Sequence, residues 1–218
     1  MQQRTPLNRA SIVQAAAAAA DSGGLPGVSM RRVGRELGVE AMSLYHHIAN
    51  KDELLDALVD WVFAQIELPK PEDSWRAGMV RRATSARAVL TAHPWALGLI
   101  ESRANPGPAL LTHHDAVIGC LRRGGFPVML ASHAFSVIDA YVYGFALTEQ
   151  NLPFDPSASE AAGDFASEFM PRIKQYPHLA ELVTTLTSGR VYVFTDEFSY
   201  GLDIILDELE RRLAAAPT

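Results

Sequence analysis

Hydrophobic residues recur at intervals of three and four along nearly the whole chain, which is the spacing of amphipathic α-helices. Alternation of apolar and polar residues, the pattern of a half-buried strand, is almost absent. Clusters of glycine and proline divide the chain into segments of helical length. The pattern therefore predicts an all-α protein.

The first two predicted helices are marked by the residues at their ends. Thr5 and Pro6 place a capping hydroxyl before a proline at the first helical position, and Gly23-Gly24 ends that helix. Ser29 caps a short second helix, and Gly38 is placed to stop it in the left-handed conformation. We expect two helices with a short connection between them.

A third predicted helix, from Ala41 to His47, is joined to the second by Gly38-Val39-Glu40 alone. Such a pair is a helix-turn-helix, whose second helix is sized for the major groove of DNA. Asn50 caps a fourth helix. Glu53, three residues later, is placed to accept a hydrogen bond from the backbone at the helix start, much as in a capping box. The predicted organisation is a helix-turn-helix domain over 1–50, a connecting helix over 51–67 and a helical body over 68–218.

The body is predicted to contain six further helices, separated by proline- and glycine-rich breaks. Their predicted spans are 72–92, 94–102, 108–124, 128–150, 160–187 and 190–215.

Charge is distributed unevenly along the chain, whose formal net charge is −6. Residues 1–51 carry six basic and three acidic side chains, and the remainder carries 13 basic and 22 acidic ones, giving +3 and −9. A basic head on an acidic body is typical of a protein in which one end meets phosphates.

Cysteine content and hydropathy indicate the cellular compartment in which the protein works. The single cysteine, Cys120, excludes an internal disulfide and a multi-cysteine zinc site and fits a reducing cytoplasm. No apolar signal core follows the first residues, and the longest alanine run, 15–20, is too short to span a bilayer. We expect a cytoplasmic protein without a membrane partner, with Cys120 packed as a small hydrophobe.

The third predicted helix has an outward face that suits DNA. Leu44 and Ile48 point inward, and the residues left outside combine aromatic, imidazole and hydroxyl groups, flanked by Arg31 and Lys51. Such groups donate to phosphates and read base edges. The predicted DNA-binding set is Ser29, Arg31, Met42, Ser43, Tyr45, His46, His47 and Lys51.

The run from Ser29 to Leu58 resembles the DNA-binding domain of the tetracycline-repressor family, through its Gly-Val-Glu turn, its Leu-Tyr-x-His element and its Asn-Lys-x-x-Leu-Leu-Asp element. A looser resemblance to the family's C-terminal domain extends over Trp75-Arg76, His93-Pro94-Trp95, Gly125-Phe126 and Tyr143–Leu147. The resemblance implies a homodimer that places one recognition helix in each half of a palindromic operator. It also implies a body that binds a small-molecule effector and dimerises.

Position by position, the resemblance assigns roles within the head. Tyr45, His47 and Lys51 match family residues that grip phosphates. Arg31 matches a residue that reads a guanine edge, and Ser43 matches a hydroxyl that contacts the operator.

Three departures from the tetracycline repressors change the expected specificity. Ala41 replaces a base-reading glutamine and His46 replaces a tryptophan, so the operator is expected to differ. Ile100 stands where those repressors have a histidine that holds drug-bound magnesium, so tetracycline is not the expected inducer.

Polar groups within apolar helices of the body suggest an effector pocket. His133, Asp139 and Glu149 interrupt apolar helices, and buried polar groups need partners that a ligand can supply. An aromatic stripe at helical spacing also fits an ordinary core. The predicted ligand-binding set is Trp95, Ile100, His133, Phe135, Asp139, Tyr143 and Glu149.

Two glycines in mid-helix, Gly144 and Gly201, suggest a close approach between helices of two subunits. Packing within one chain is the alternative at each position. The predicted dimer interface is Val137, Tyr141, Gly144, Phe194, Phe198, Gly201 and Ile205.

Catalytic and metal sites are not expected, and neither is a cofactor. His113 and His114 are adjacent, so their side chains point about 100 degrees apart on a helix and do not chelate together easily. An enzyme that uses His113, His133 or Asp139, and an adaptor that binds only protein, are the alternatives to a DNA-binding regulator.

Overall fold

The computed structural model describes residues 7–187 and 192–216, which form eleven α-helices, two short 3-10 turns and no β-strand. The predicted all-α fold is therefore confirmed for this part of the chain. The helices are α1 Arg9–Gly23, α2 Met30–Leu37, α3 Ala41–Leu44, α4 Lys51–Phe63, α5 Trp75–Ala92, α6 Ala96–Ser102, α7 Pro108–Arg123, α8 Val128–Gln150, α9 Ser159–Ile173, α10 Pro177–Thr187 and α11 Glu197–Ala214. The 3-10 turns are Leu25–Gly27 and Phe194–Asp196.

The start of α1 is fixed by a reciprocal cap. Asn8 accepts a hydrogen bond from the backbone N–H of Ser11 through its side-chain oxygen at 2.9 Å. The Ser11 hydroxyl in turn accepts from the Asn8 backbone N–H at 3.0 Å. Two of the otherwise unsatisfied N–H groups of the first turn are paired in this way. The predicted start at Thr5 and Pro6 lies outside the described residues.

The third helix is shorter than predicted. α3 is α-helical only to Leu44, and the residues up to His47 continue in tighter turns. The backbone N–H groups of Tyr45 and His47 donate to carbonyls three residues earlier. Such bonds commonly tighten the last turn of a helix.

The predicted helix over 160–187 is two helices. Pro177 begins α10, and a proline disfavours helical geometry in the residue before it, so the chain breaks after Ile173. The predicted helix over 190–215 begins later, because a 3-10 turn precedes α11 at Glu197. Positions 190 and 191 of that prediction lie outside the described residues.

The head packs its recognition helix on a small apolar core. Leu44 and Ile48 are buried, as predicted, together with Ile12 of α1 and Leu58 of α4. Gly38 ends α2 with φ 67° and ψ 32°, the left-handed conformation expected there. Each of these local features agrees with a helix-turn-helix.

The described residues fall into two compact units, Met1–Asp139 and Ala140–Thr218, which divide within α8. The first contains α1 to α7 and the beginning of α8, and the second contains the rest of α8 with α9 to α11. The boundaries proposed from the sequence at 50 and 67 stay a prediction.

In the second unit, aromatic side chains join α8 to α11. Phe198 is buried and stacks on Tyr141 with ring centroids 5.5 Å apart. Phe194 stacks on Phe145 at 5.0 Å, and a Cβ at Gly201 would overlap the Tyr141 side chain. Phe198 packs within its own chain, so its assignment to an exposed subunit interface was wrong, whereas the assignment of half-buried Gly201 stays a prediction.

Among the described helices, α8 is long and apolar enough to cross a membrane, judged by length and composition alone. Core helices of soluble proteins pass the same test. Only 28% of its most apolar window is buried. Much of its apolar surface is therefore exposed in a single chain.

Gly34 of α2 lies so close to the turn that follows the helix that no larger side chain fits there. A Cβ there would lie 2.9 Å from the Val39 carbonyl oxygen and 3.2 Å from the Ala41 nitrogen, both backbone atoms of the turn. We expect Gly34→Ala to destabilise the protein by roughly 1–3 kcal/mol, the usual cost of overpacking. Urea unfolding followed by circular dichroism measures it.

Gly98→Ala in α6 is the matched control, since no atom lies within 4 Å of an added Cβ there. It should be neutral or stabilise by up to about 1 kcal/mol, through helix propensity. Equal effects of the two substitutions would contradict the close approach of α2 to the turn.

Candidate nucleic-acid interface and effector site

The outward face of the recognition helix is open to solvent. Met42 is 72% exposed and Tyr45 43% exposed, and His46 and His47 are also exposed. Ser43 is half-buried. Met42, Tyr45, His46 and His47, four of the residues predicted to face DNA, thus lie on one exposed stretch of chain.

The start of α2 carries two arginines with different surroundings. Arg31 is exposed, whereas the Arg32 guanidinium donates to the Ser22 hydroxyl at 2.7 Å and packs back on the end of α1. Ser29 caps α2 by accepting from the Arg32 backbone N–H at 3.2 Å. Its hydroxyl hydrogen is not used by this bond. Arg31 is therefore the better placed of the two arginines to reach DNA.

The first turn of α4 is anchored from both sides. Asn50 accepts from the Glu53 backbone N–H at 2.8 Å, as predicted. The Glu53 carboxylate accepts from the Ala49 backbone N–H at 2.7 Å, one residue earlier than in a capping box, and pairs with Arg9. The Arg9 contact lowers the pKa of Glu53. Exposed Lys51 stands at this fixed helix start, where backbone N–H groups favour a phosphate.

Three aspartates at intervals of four residues form a stripe along α4: Asp52, Asp56 and Asp60. Arg103, which follows α6, donates from Nε to Asp56 Oδ1 at 2.6 Å and from Nη1 to Asp52 Oδ1 at 3.2 Å. Asn105 donates to the second oxygen of Asp56 at 3.2 Å. The Arg103 hydrogen bond lowers the pKa of Asp56.

The last aspartate of the stripe caps another helix. Asp60 Oδ1 accepts from the backbone N–H groups of Ala109 and Leu110, at 2.7 and 3.1 Å, in the first turn of α7. An anion at a helix N-terminus is favourable. The connecting helix is therefore bound by charge to the segment between α6 and α7.

A second polar contact links α1 to the segment between α5 and α6. Trp95 donates from its indole nitrogen to Asp21 Oδ1 at 2.6 Å, and His93 lies 2.8 Å from the same oxygen. Trp95 was predicted to line an effector pocket. Its single donor is already paired with Asp21.

A buried polar cluster lies between α5, α7 and α8, at Arg82, His113 and Asp139. Arg82 is 1% exposed and His113 is fully buried. Arg82 Nε donates to His113 Nε2 at 3.0 Å, and Arg82 Nη2 forms an ion pair with Asp139 Oδ1. That ion pair lacks the alignment of a hydrogen bond. A permanently charged group in the core is thus held by two partners.

Burial sets the ionisation of the cluster. Desolvation, with the Arg82 charge nearby, lowers the pKa of His113 to about 3, so its imidazole is neutral at physiological pH. Burial raises the pKa of Asp139, and the Arg82 guanidinium opposes that shift. Arginine does not lose its proton in proteins, so the Asp139 carboxyl group faces a permanent positive charge.

Aromatic rings surround the polar cluster. Phe63 meets His113 edge-on with ring centroids 5.2 Å apart, and His114 meets Phe135 in the same way at 4.9 Å. The Arg82 guanidinium lies over the Phe135 ring at 5.9 Å. Aromatic rings thus enclose the polar groups of the cluster.

The predicted ligand-binding residues do not all come together. Phe135 and Asp139 belong to the cluster, whereas His133 is exposed, so its prediction as a buried polar group was wrong. The other predicted residues are Ile100, half-buried in α6, and Tyr143 and Glu149, both in the second unit.

Sequence reasoning missed Arg82, and it considered His113 only as a catalytic or metal-binding alternative. A signal for Arg82 was present, since it falls among Met79, Ala83 and Ala86, which form the buried face of α5. An arginine at such a position is buried and must be paired.

The second unit contains an apolar cavity of about 250 Å³ beside α9 and α10. Aromatic rings supply much of its wall, including Phe154, Phe165, Phe169 and Phe194. Polar groups are few there, so this cavity offers little to orient a ligand.

Apolar residues are exposed on α8 and α11 of the second unit. Tyr200 and Ile204, one helical turn apart on α11, are 69% and 55% exposed, and Leu147 of α8 is 52% exposed. Gly144, near Leu147 on α8, is exposed, and an added Cβ would meet no atom within 4 Å. We refer to these four exposed residues as the α8–α11 face.

Within residues 7–187 and 192–216, no group of three or more histidine, cysteine, aspartate or glutamate side chains is arranged to hold a metal ion. Cys120 is buried, and burial raises the pKa of its thiol. Its surroundings are those of a small core residue.

Two curated relatives match most of the chain. The HTH-type transcriptional repressor DrrR1 of Streptomyces coeruleorubidus is 34% identical over 224 residues, covering 94% of this chain and 80% of that protein. The tetracycline repressor protein class A of Escherichia coli is 28% identical over 216 residues, covering 95% and 93%.

A similar solved structure is the TetR family protein ActR of Streptomyces coelicolor in complex with actinorhodin. It is 30% identical to this chain, with a TM-score of 0.75 over 96% of this chain and 99% of that one.

Family models match both parts of the chain. The model for bacterial regulatory proteins of the tetR family matches residues 12–58, which contain the helix-turn-helix. The model for the tetracyclin repressor-like C-terminal domain matches residues 68–213, more than half of the chain. The chain belongs to the TetR family of bacterial transcriptional regulators.

Proposed function

We propose that the protein is a homodimeric repressor that binds a palindromic operator and is released from it by a small-molecule effector. The observation that carries this proposal is the exposed face of Met42, Ser43, Tyr45, His46 and His47 on a helix-turn-helix. A recognition helix this short covers few base pairs. Two such helices at a fixed spacing grip two half-sites together, about one turn of DNA apart.

The α8–α11 face is the proposed subunit interface. Gly144 lets a helix of the partner approach closely, and Tyr200, Ile204 and Leu147 supply apolar area. This replaces the predicted contact at Phe198, which packs within the chain. A two-fold contact of helix pairs is a common way to build such a dimer.

The proposed effector site is the polar cluster at Arg82, His113 and Asp139. ActR is solved with a small molecule bound, which supports an effector for this chain as well. The aspartate stripe of α4 supplies a route to the head, since it binds both Arg103 and the start of α7. A shift of that segment would move α4 and respace the two recognition helices. A DNA-binding regulator of this kind works in the cytoplasm.

Lys51 is proposed to contact a phosphate. Lys51→Ala should weaken binding to all DNA sequences about equally and lower the slope of log K against log salt by about one, since one counterion fewer is released. Fluorescence anisotropy at several salt concentrations measures the slope. Lys70→Ala, an exposed lysine beyond the head, is the matched control and should leave it unchanged. An unaltered slope for Lys51→Ala would remove this contact from the proposal.

Arg31 is proposed to read a base edge. Arg31→Ala should cost roughly 1–3 kcal/mol of discrimination at one base pair of each half-site. Selection of binding sites from random DNA reads this out position by position. Arg32→Ala is the control, because the Arg32 guanidinium bonds to Ser22 and should not read DNA. Recovery of the wild-type motif at every position by Arg31→Ala would refute the assignment.

Ile204 is proposed to lie in the dimer interface. Ile204→Glu should give a folded monomer with much weaker operator binding, because a charge inside an apolar interface is poorly tolerated. Light scattering gives the mass, and circular dichroism checks the fold. Leu111→Glu on α7 is the matched control, since Leu111 is also 55% exposed, and it should stay dimeric. If Ile204→Glu remains a dimer of normal operator affinity, the interface lies elsewhere.

A further inference from the structure

The apolar cavity of the second unit is large for the helices that enclose it. Its volume is about 250 Å³. Its walls come from the loop after α8, from α9 and α10, and from the segment before α11, all within the second unit. Protein interiors are closely packed and contain few voids larger than a water molecule. We therefore expect the cavity to hold a ligand.

Five aromatic rings face the cavity: Phe154, Phe165, Phe169, Tyr192 and Phe194. All five residues are half-buried rather than buried. Phe165 stacks on Phe169 with ring centroids 5.5 Å apart and meets Phe154 at 5.4 Å, so the rings pack on one another and leave the space open. The apolar area that stays accessible there would be stabilised by a ligand that removes it from water.

Small residues of α9 create the room. Ala162 and Ala166 are buried, lie one helical turn apart, and both line the cavity. Phe165 and Phe169 lie on the same face of the helix, at intervals of three and four residues from the alanines. Larger side chains at the two alanine positions would project into the space.

Water and ions are poor occupants of this cavity. A buried water molecule typically makes about three hydrogen bonds to polar groups. Among the lining side chains that the structure describes, only those of Thr187 and Tyr192 carry a polar atom, and none is charged. The Thr187 hydroxyl donates to the Val183 carbonyl of its own helix at 2.8 Å, and burial raises the pKa of the Tyr192 phenol, which stays neutral. An occupant without polar groups needs no partner in these walls.

The volume of the cavity sets the size of the occupant. In another protein, an engineered apolar cavity of about 150 Å³ stays dry and binds benzene. Scaling the carbon atoms of benzene by the ratio of the two volumes gives a compound of about ten carbon atoms for this cavity. Two fused six-membered rings have this size.

We propose that the cavity between α9, α10 and the segment before α11 binds a neutral, apolar compound of about ten carbon atoms, such as a two-ring hydrocarbon. None of its lining residues belongs to the polar cluster at Arg82, so this is a second small-molecule site, separate from the proposed effector site. The proposal does not depend on DNA binding. A compound bound there contacts α9, α10 and the segment before α11 together, and it stabilises the folded unit by mass action.

Three compounds test the size and the charge of the occupant. In equilibrium dialysis against the full chain without DNA, naphthalene should bind about tenfold or more tighter than benzene, because it buries more carbon atoms. Binding of 2,6-naphthalenedicarboxylate should be weaker than that of naphthalene, because one of its two carboxylates has to enter walls that offer no partner. Equal affinities for naphthalene and benzene, tightest binding of the dicarboxylate, or no binding of naphthalene up to its solubility would overturn the proposal.

A variant that fills the cavity tests where naphthalene binds. Ala166→Leu places a larger apolar side chain in the space, so the affinity for naphthalene should fall about tenfold or more. Ser167→Leu is the matched control, since Ser167 is exposed on the same helix and does not line the cavity, and it should bind naphthalene as the unaltered protein does. Circular dichroism checks that both variants fold. Undiminished binding by folded Ala166→Leu would contradict the placement.

A measurement on the unaltered protein covers the case in which Ala166→Leu does not fold. Aromatic rings shift the NMR signals of neighbouring methyl groups, so saturating naphthalene should move the signals of Val183 and Leu186, which line the cavity. The methyl groups of Leu54 and Leu58, buried in α4, are the controls and should keep their signals. If the signals of Val183 and Leu186 stay in place at saturating naphthalene, the cavity is not the site and the proposal fails.

Discussion

The connecting helix α4 has to satisfy two sets of neighbours at once. Its apolar side, with Leu54, Leu58 and Val62, is fully buried, and the helix packs against α1, α6 and α7. Its acidic stripe binds Arg103 and the first turn of α7. A helix held in this way cannot shift without changing several charge-assisted hydrogen bonds together. The position of α4 therefore depends on the segment between α6 and α7.

The buried Arg82 imposes the second constraint. An arginine cannot escape burial by losing its proton, so the core must supply partners, and Asp139 and His113 do so. Two partners do not exhaust the five N–H donors of Arg82.

Local signals allowed the head to be predicted closely. Ser29, Gly38 and Asn50 act at short range, through caps and a left-handed turn, and each is found in its predicted role. Burial of Leu44 and Ile48 followed from helical spacing alone. The bounds of the long helices in the body were predicted less well. The apolar pattern continues across 160–187, and it conceals the break before Pro177.

By itself, the sequence determined the all-α class, the helix-turn-helix and its exposed reading face, because these depend on contacts within a few residues. Only the tertiary structure decided which polar groups meet. Arg82, His113 and Asp139 come from three helices far apart in the chain, and Phe198 faces its own subunit because Tyr141 and Phe145 cover it. Helical periodicity indicates that one face of a helix is apolar. It does not indicate whether that face packs against a helix of the same chain or against another molecule. The partner is set by how whole helices pack, and no local pattern contains that information.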